Sequence, residues 1–360
     1  MLKISLDMVN HPTQRELSLS NYAQNKILKV FGIESTAHTF SCSLVSSNDN
    51  GDNGEILSDI RSIYTPPPGS GIHPREASRH HVEVAPKIVE QSLIQAGMSI
   101  DKVDAIAFSA GPGLGPCLRV GATVARSLAF YYKKSLIPVN HAIGHIELAN
   151  MLTGAKDPIV LLVSGGHTLI TAFSFGRWRV FGETLDLTIG QLIDQFGRVA
   201  GFSSPSGQQI EKLAEKSSNF IPLPYTVKGN DTSFSGILTS VKKLLHNGKD
   251  LESLCFSLQE IAFAMLAEVT ERALAFTEKR EVLLTGGVAA NKRLQEMLIE
   301  VSERHGADFF VVPKKYSGDC GAQIAWTGLL AHLVGISVGV EKSFIKQSWR
   351  LDRVDIKWRD

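Results

Sequence analysis

Short apolar runs with a period of two alternate along this chain with longer stretches whose apolar positions recur every three or four residues, the mark of mixed strands and helices. Val30–Ser47 (VFGIESTAHTFSCSLVSS) is rich in β-branched and aromatic residues, breaks at a small polar turn and resumes with alternation, which predicts a hairpin. A loop over Ser47–Glu55 and the Pro/Gly-rich YTPPPGSGIHPREASRHH follow. PREASRHHVEVAPKIVEQSLIQAG predicts a helix, with Pro74 near its start and Gly97 past its end. VDAIAFSAGPGLGPCLRVGATVARSLAFYY reads as a buried strand, a glycine/proline loop and a further helix, and LIPVN as a short strand leading into VNHAIGHIELAN.

The pattern then restarts, about 130 residues after its first appearance. DPIVLLVSGGHTLITAFSFGRWRVFGETLD is a second strand–turn–strand run with a tight turn of small residues. Helices are expected in TLDLTIGQLIDQFGRVAG, SGQQIEKLAEKS and SLCFSLQEIAFAMLAEVTERALAFTEK. EVLLTGG is a buried strand with a helix beginning at VAANKRLQEMLIEVSERHG, and strand ADFFVVP and an apolar helix from Gly321 complete the set. Two hairpin-plus-helix halves predict a duplicated α/β architecture with a cleft between them, across which the two tight turns face each other.

A length of 360 residues makes two domains the default. Residues 30–155 and 156–330 are the expected halves, after an extension at 1–29 expected to be disordered and before a C-terminal segment, 331–360, expected to pack back on the first half. Apolar and charged contents of 43% and 20% are those of an ordinary globular chain. A net charge of +1 gives no global basic field, although a local patch suffices to bind a phosphate backbone. Four dispersed cysteines offer no disulfide framework and fit a reducing, cytoplasmic setting. Residues 1–29 lack the apolar core of a secretory signal. Cys320–Val340 carries no formal charge over 21 residues, but its glycines, Gln323 and His332 favour a buried core helix over a membrane span.

Six features carry candidate chemistry. In VSGGHT, Ser164, Gly165 and Gly166 follow an apolar strand, so exposed backbone N–H groups could approach a phosphate; in isolation an ordinary hairpin turn is the preferred reading, and only a second such site brings the two level. LLTGGVAAN repeats the theme at a helix start. No GxxxxGK[ST] stretch and no GxGxxG after a strand is present, which leaves P-loop and Rossmann readings unsupported. Asp186, Asp194 and Glu211 are either ribose acceptors in a cleft or a solvated helix face. His141 and His145 stand four apart, one turn along a helix face, and could ligate zinc or iron. The general base of an H-E-x-x-H protease would stand at position 142, which is alanine, and Asp319 at a glycine-flanked turn is the sensible third ligand. HPREASRHH (His73, His80, His81) reads as a polar surface more readily than as a metal cluster, and GPGLGPCLRVGAT demands a special backbone path.

Taken together and in order, FGIESTAHTFSCSLV, HPREASRHH, GPGLGPCLRVGATVARSLA, VNHAIGHIE, VSGGHT, GETLD, LPYTVKGNDTSFSG, LLTGGVAANKRL and GDCGAQIAWTG closely resemble the tRNA threonylcarbamoyladenosine synthase family, in its archaeal/eukaryotic branch, the catalytic subunit of the KEOPS complex. The resemblance implies the actin-like ASKHA fold with a nucleotide and metal cleft between two duplicated domains. It implies transfer of a threonylcarbamoyl group from threonylcarbamoyl-AMP to the exocyclic amine of the adenosine following the anticodon in tRNAs that read codons beginning with A. It further implies a divalent metal (iron or zinc) on His141, His145 and Asp319, with Ser164, Gly165, Gly166 and His167 on the phosphate side. Asp194, Gly207, Glu211 and Asn291 would line the nucleoside, where ATP or ADP could also sit. Implied partners are tRNA and the other KEOPS subunits: a small kinase/ATPase, a dimerisation subunit and a tRNA-binding subunit. The chain departs from the family pattern at Leu162, where a tyrosine is frequent, at His167, where this branch more often has asparagine, and at Cys320, where asparagine is usual. An ASKHA-type ATPase or small-molecule kinase is the alternative, and a metalloprotease is disfavoured by Ala142.

Overall fold

The computed structural model describes residues 27–48, 53–67 and 69–359; most of the expected N-terminal extension lies outside them. Strands β1 (Lys29–Glu34), β2 (Thr39–Ser47) and β3 (Gly54–Ile63) form an antiparallel meander, and β4 (Ala105–Gly111) and β5 (Ser135–Asn140) join β1 in parallel to give the order β3-β2-β1-β4-β5. Helices α1 (Pro74–Gln95) and α2 (Gly115–Tyr132) pack against this sheet and each other, and α3 (His141–Thr153) leaves the end of β5.

The second sheet repeats the scheme. β6 (Ile159–Val163), β7 (Thr168–Ser174) and β8 (Arg177–Glu183) are antiparallel, β11 (Glu281–Thr285) and β12 (Asp308–Val311) run parallel to β6, and the order is β12-β11-β6-β7-β8. Renumbered within its own half, it is the same order as the first sheet. The expected duplication is thus present strand for strand. α4 (Ile189–Val199), α5 (Gly207–Ala214), a two-strand ribbon of β9 (Val227–Lys228) and β10 (Asp231–Thr232), α6 (Ser235–His246), the long α7 (Leu251–Thr277) and α8 (Lys292–Arg304) complete this half. After a single turn, α9 (Lys314–Ser317), the chain crosses back as α10 (Gly321–Leu333).

Besides the short ribbon β9–β10 and the single turn α9, two larger elements were not anticipated. β3 falls where the sequence shows only a loop and its aftermath: it is a half-exposed edge strand, so its apolar positions do not alternate cleanly. α6 opens on Ser235–Gly236 and carries Thr239 and Val241, weak helix formers, and it holds because Ile237, Leu238 and Val241 are buried. A third difference concerns Gly286 and Gly287, which lead into a 3₁₀ turn rather than an α-helix; α8 begins only at Lys292, capped by Asn291.

α3 and α10 join the halves. Ten of the thirteen residues of α3 are buried, including both histidines, as expected of a helix covered on all sides. α10 lies on β1, β2 and β4 and also packs on α3, so the 330/331 boundary drawn from sequence falls inside a helix of the first sheet's core. Gly32 and Gly144 allow this close approach: a Cβ on Gly32 would stand 2.3 Å from the Ala325 nitrogen, and one on Gly144 3.3 Å from Gln323. The C-terminal segment touches both halves. Val338 bridges Leu136, and Lys346 donates its backbone N–H to Ala110; farther on, Ile356 donates to Gly176 and Arg359 reaches Glu147. Among the described residues one helix, α7, is long and apolar enough to cross a membrane, and most of it is buried inside the fold.

Candidate metal and nucleotide site

Two backbone features put a histidine pair at the junction of the halves. β5 ends at Asn140, whose side chain accepts from the N–H groups of Ala142 and Ile143 and so starts α3 at His141. The helical period then stacks His145 on the same face, with the two ring centroids 4.7 Å apart. Asp319, at the turn before α10, faces them: its Oδ1 lies 3.6 Å from His141 Nε2 and 3.3 Å from His145 Nε2. One ligand atom from each of the three residues falls within 4.8 Å of the others, the only such group of three or more His, Cys, Asp or Glu among the described residues. Ligands on one tetrahedral ion, each about 2.0–2.2 Å from it, are separated by about the same spans.

The rest of the environment acts on His141. Its Nδ1 lies 2.9 Å from Glu34 Oε2, and Glu34, fully buried at the end of β1, has its other oxygen fixed by the Thr36 N–H. Gln323 of α10 approaches the same nitrogen at 3.0 Å, and Thr36 Oγ1 stands at 3.4 Å. A carboxylate on Nδ1 holds a proton there and leaves Nε2 as the atom turned toward Asp319, free to exchange its own proton for a metal. Burial alone would depress His141, but the carboxylates of Glu34 and Asp319 outweigh it and lift its pKa to about 9. For His145 burial prevails and lowers the pKa. Burial opposes ionisation of Asp319 too, yet the two histidines hold its carboxyl well below the usual range. Neither ring nitrogen of His145 makes a hydrogen bond of ordinary geometry although both are buried. Unmet buried donors and acceptors cost about 1–3 kcal/mol each, a deficit that a coordinated cation removes.

Both glycine turns lie at the C-terminal ends of adjacent parallel strands, where α/β sheets bind ligands. Thr285 of β11 pairs with Leu162 of β6, and a Cβ on Gly286 (φ +98°) would stand 2.2 Å from the Val163 carbonyl oxygen. Gly165, Gly166 and Gly287 by contrast border open space, so a ligand can approach their backbone closely. Ser164 Oγ accepts from the N–H groups of Gly166 and His167 and fixes the turn, while Thr188 and Gly190 at the start of α4 pack beneath it. The His167 ring stacks on His141 with centroids 5.9 Å apart, so this turn borders the histidine pair directly. The first turn, through Thr36, reaches His141 from the other half.

Asp194, Gly207, Glu211 and Asn291 form a run linked only indirectly, each hydrogen bond reaching the chain neighbour of the next residue and not that residue itself. Asp194 Oδ1 accepts from the backbone and hydroxyl of Ser206, which precedes Gly207 and α5; Glu211 on α5 accepts from the Lys292 N–H beside Asn291. The Asn291 amide is already engaged, its oxygen capping α8 and its nitrogen donating to Gln259 at 2.6 Å. Asp186 lies apart from this run: it accepts from Ser233, Ser235, Phe234 and Leu187, and although burial opposes ionisation these bonds hold its carboxyl low. Leu162 is a fully buried core residue, and the Cys320 thiol, with its pKa pushed up to about 12 by burial, lies outside the ligand group beside Gln323. His80 and His81 belong to no metal group either; His81 is buried against Phe40, and His80 meets Ser62. Glu34 and Gln323 escaped the residue-by-residue reading. The signal for Glu34 was an acid closing an otherwise apolar strand, and Gln323 carried none.

Comparison with known proteins agrees with this geometry. The profile of the family described as tRNA N6-adenosine threonylcarbamoyltransferase matches residues 55–326. A protein of that name from Caldivirga maquilingensis is 51% identical over 329 residues, 91% of this chain and 98% of its own. One from Thermofilum pendens is 50% identical over 335 residues, 93% and 98% of the two chains. The crystal structure of T. kodakarensis HypF superposes with a TM-score of 0.59 at 13% identity, over 90% of this chain and 49% of that one. Component A of the Acidaminococcus fermentans (R)-2-hydroxyglutaryl-CoA dehydratase gives 0.52 at 14%, over 84% and 98%. Those two likenesses show the fold, the duplicated actin-like architecture. The sequence matches go further: the chain belongs to the tRNA N6-adenosine threonylcarbamoyltransferase family.

Proposed function

We propose that this transferase moves a threonylcarbamoyl group from threonylcarbamoyl-AMP to N6 of the adenosine following the anticodon in tRNAs that read codons beginning with A. The bond between the carbamoyl carbon and the phosphate oxygen breaks, AMP leaves, and a bond to N6 forms as N6 gives up a proton. The observation that carries the reading is the His141–His145–Asp319 group, set directly beside the Ser164–Gly166 turn.

The donor is an activated mixed anhydride, so departure of AMP is easy and the weak nucleophile is the difficulty. The N6 lone pair is delocalised into the ring, and orientation together with charge stabilisation must supply the rate. Open backbone at Gly165, Gly166 and Gly287 suits a phosphate, and the run from Asp194 to Glu211 suits a nucleoside. Two imidazoles and one carboxylate suit Fe2+ or Zn2+, and a buried His145 Nε2 that faces Asp319 without a regular hydrogen bond is what such a site would leave without its ion. Bound there, the metal would supply Lewis-acid polarisation and a template for oxygen ligands. His141 and His145 would hold it, Glu34 would keep His141 in the ligating tautomer, and Asp319 would leave the site with a net positive charge. Ala142 supplies no general base for peptide hydrolysis, and a kinase would have no use for the histidine pair. A near-neutral chain fits a division of labour in which tRNA affinity comes largely from partner subunits of the KEOPS type, in the cytoplasm.

Two results are expected. Nucleoside mass spectrometry of tRNA from a strain depleted of this protein shows threonylcarbamoyladenosine falling away; unchanged levels would sink the assignment. Glu34→Gln keeps the shape of the Glu34 side chain but loses its charge, and metal affinity falls by about 10- to 100-fold, as for other groups that orient a ligand histidine. Titration of the purified variant with Zn2+ reads the loss, and an unchanged affinity would show that Glu34 orients nothing.

A further inference from the structure

Two histidines and one carboxylate leave several positions on a divalent ion open, enough for donor oxygens and one more side chain, and the cleft holds a candidate for the latter. His167 follows the Ser164–Gly165–Gly166 turn, and its position along the chain is fixed twice: its N–H donates to Ser164 Oγ at 3.0 Å and its carbonyl accepts from the Ser164 N–H at 2.7 Å. Its ring lies near-parallel to that of His141, with an interplanar angle of 29°. Its Nδ1 is buried and has no hydrogen-bond partner, the same condition as Nδ1 of His145. Two positions before the turn, Leu162 is a fully buried aliphatic residue and offers no donor of its own.

We propose that His167 is a fourth protein ligand to the metal, joining His141, His145 and Asp319. The inference rests on the metal reading of those three residues and adds to it a side chain from the second half of the fold. In the present rotamer His167 stands outside the 4.8 Å group. Ligation therefore requires the ring to turn about its side-chain torsions, and its unpaired Nδ1 gives up no hydrogen bond in doing so. The geometric consequence is functional: a ligand carried on the phosphate-side turn ties the position of that turn to the metal, and bound ion and donor phosphate are held in one frame. The ion then joins both halves, with three ligands on α3 and the α10 turn and one on the β6–β7 turn.

The test uses the full chain and Co2+ alone, whose ligand-field absorption reports coordination number and donor type. Wild type, His167→Ala, His167→Asn and His145→Ala are titrated at neutral pH, with circular dichroism as a check on folding. His167→Ala and His167→Asn are expected to lose more than about 10-fold in Co2+ affinity, the lower bound for groups that merely support a metal site, and to shift the absorption bands. Added imidazole restores the wild-type spectrum in His167→Ala. Unchanged affinity and bands in both His167 variants, with His145→Ala losing the ion, would overturn the fourth ligand and leave the three-residue site standing. An affinity unchanged in His145→Ala, or no Co2+ binding by the wild type, would overturn both.

Discussion

His145→Ala abolishes metal binding and threonylcarbamoyl transfer and leaves the protein folded. The stability side of this expectation follows from the surroundings of the ring. His145 is 2% exposed; its Nε2 meets only the Asp319 carboxylate, at 3.3 Å, and its Nδ1 has no hydrogen-bond partner. Removing it opens a small cavity and breaks that contact but also removes one orphaned atom and places alanine in a helix interior. These effects oppose one another, and the net change is expected within about 2 kcal/mol. The functional side has no such compensation. Without the His145 imidazole the site loses a buried ligand that no neighbouring side chain replaces, and the charge stabilisation lost with the ion is worth about 100- to 1,000-fold in rate by comparison with other preorganised electrostatic contributors. Metal content by mass spectrometry, the thermal midpoint and transfer to tRNA separate the three quantities. Full transfer by a metal-free variant would remove the template role altogether.

The sequence was most legible where a residue's job depends on its own spacing. The His141–His145 interval and the caps of α3 are local facts, and the restart of the strand pattern foretold the duplicated sheets. Asp319 was harder, since it lies 174 positions beyond His145; its glycine-flanked turn made it a candidate third ligand, and the resemblance to a family tied it to the pair. Glu34 and Gln323 reach His141 only because α10 returns to the first sheet, and no local pattern encodes that crossing. Asn291 shows the reverse case. Its place after TGGVAA suggests a ligand-facing residue, but as the cap of α8 its amide is held by Leu294 and Gln259. Half-exposed β3 and the weakly helical α6 were missed because tertiary burial, and not local propensity, holds them in place.

That return crossing yields the second large effect. Gly32→Ala is expected to destabilise the protein by about 1–3 kcal/mol or more and to weaken metal binding without altering a single ligand. An added Cβ would meet the Ala325 nitrogen at 2.3 Å, the Gly321 carbonyl oxygen at 2.5 Å and the Ala325 Cα at 2.7 Å. All three are backbone atoms of α10, so no side chain can rotate away and the helix must lift from β1. Asp319 is two residues before α10 and would move with it, while His141 and His145 stay on α3. Ligand separations of 3.3 and 3.6 Å would then widen beyond what one ion spans. Gly236→Ala provides a control of opposite sign. It lies in the first turn of α6 with only the Pro224 Cβ nearby, at 3.7 Å, and its helical backbone suits alanine, which favours a gain of about 0.5–1 kcal/mol. Thermal midpoints and Zn2+ affinities measured side by side decide the matter. A Gly32→Ala protein with both at the wild-type value would show that α10 can yield at this contact, and that Asp319 is not held in register by the packing of β1.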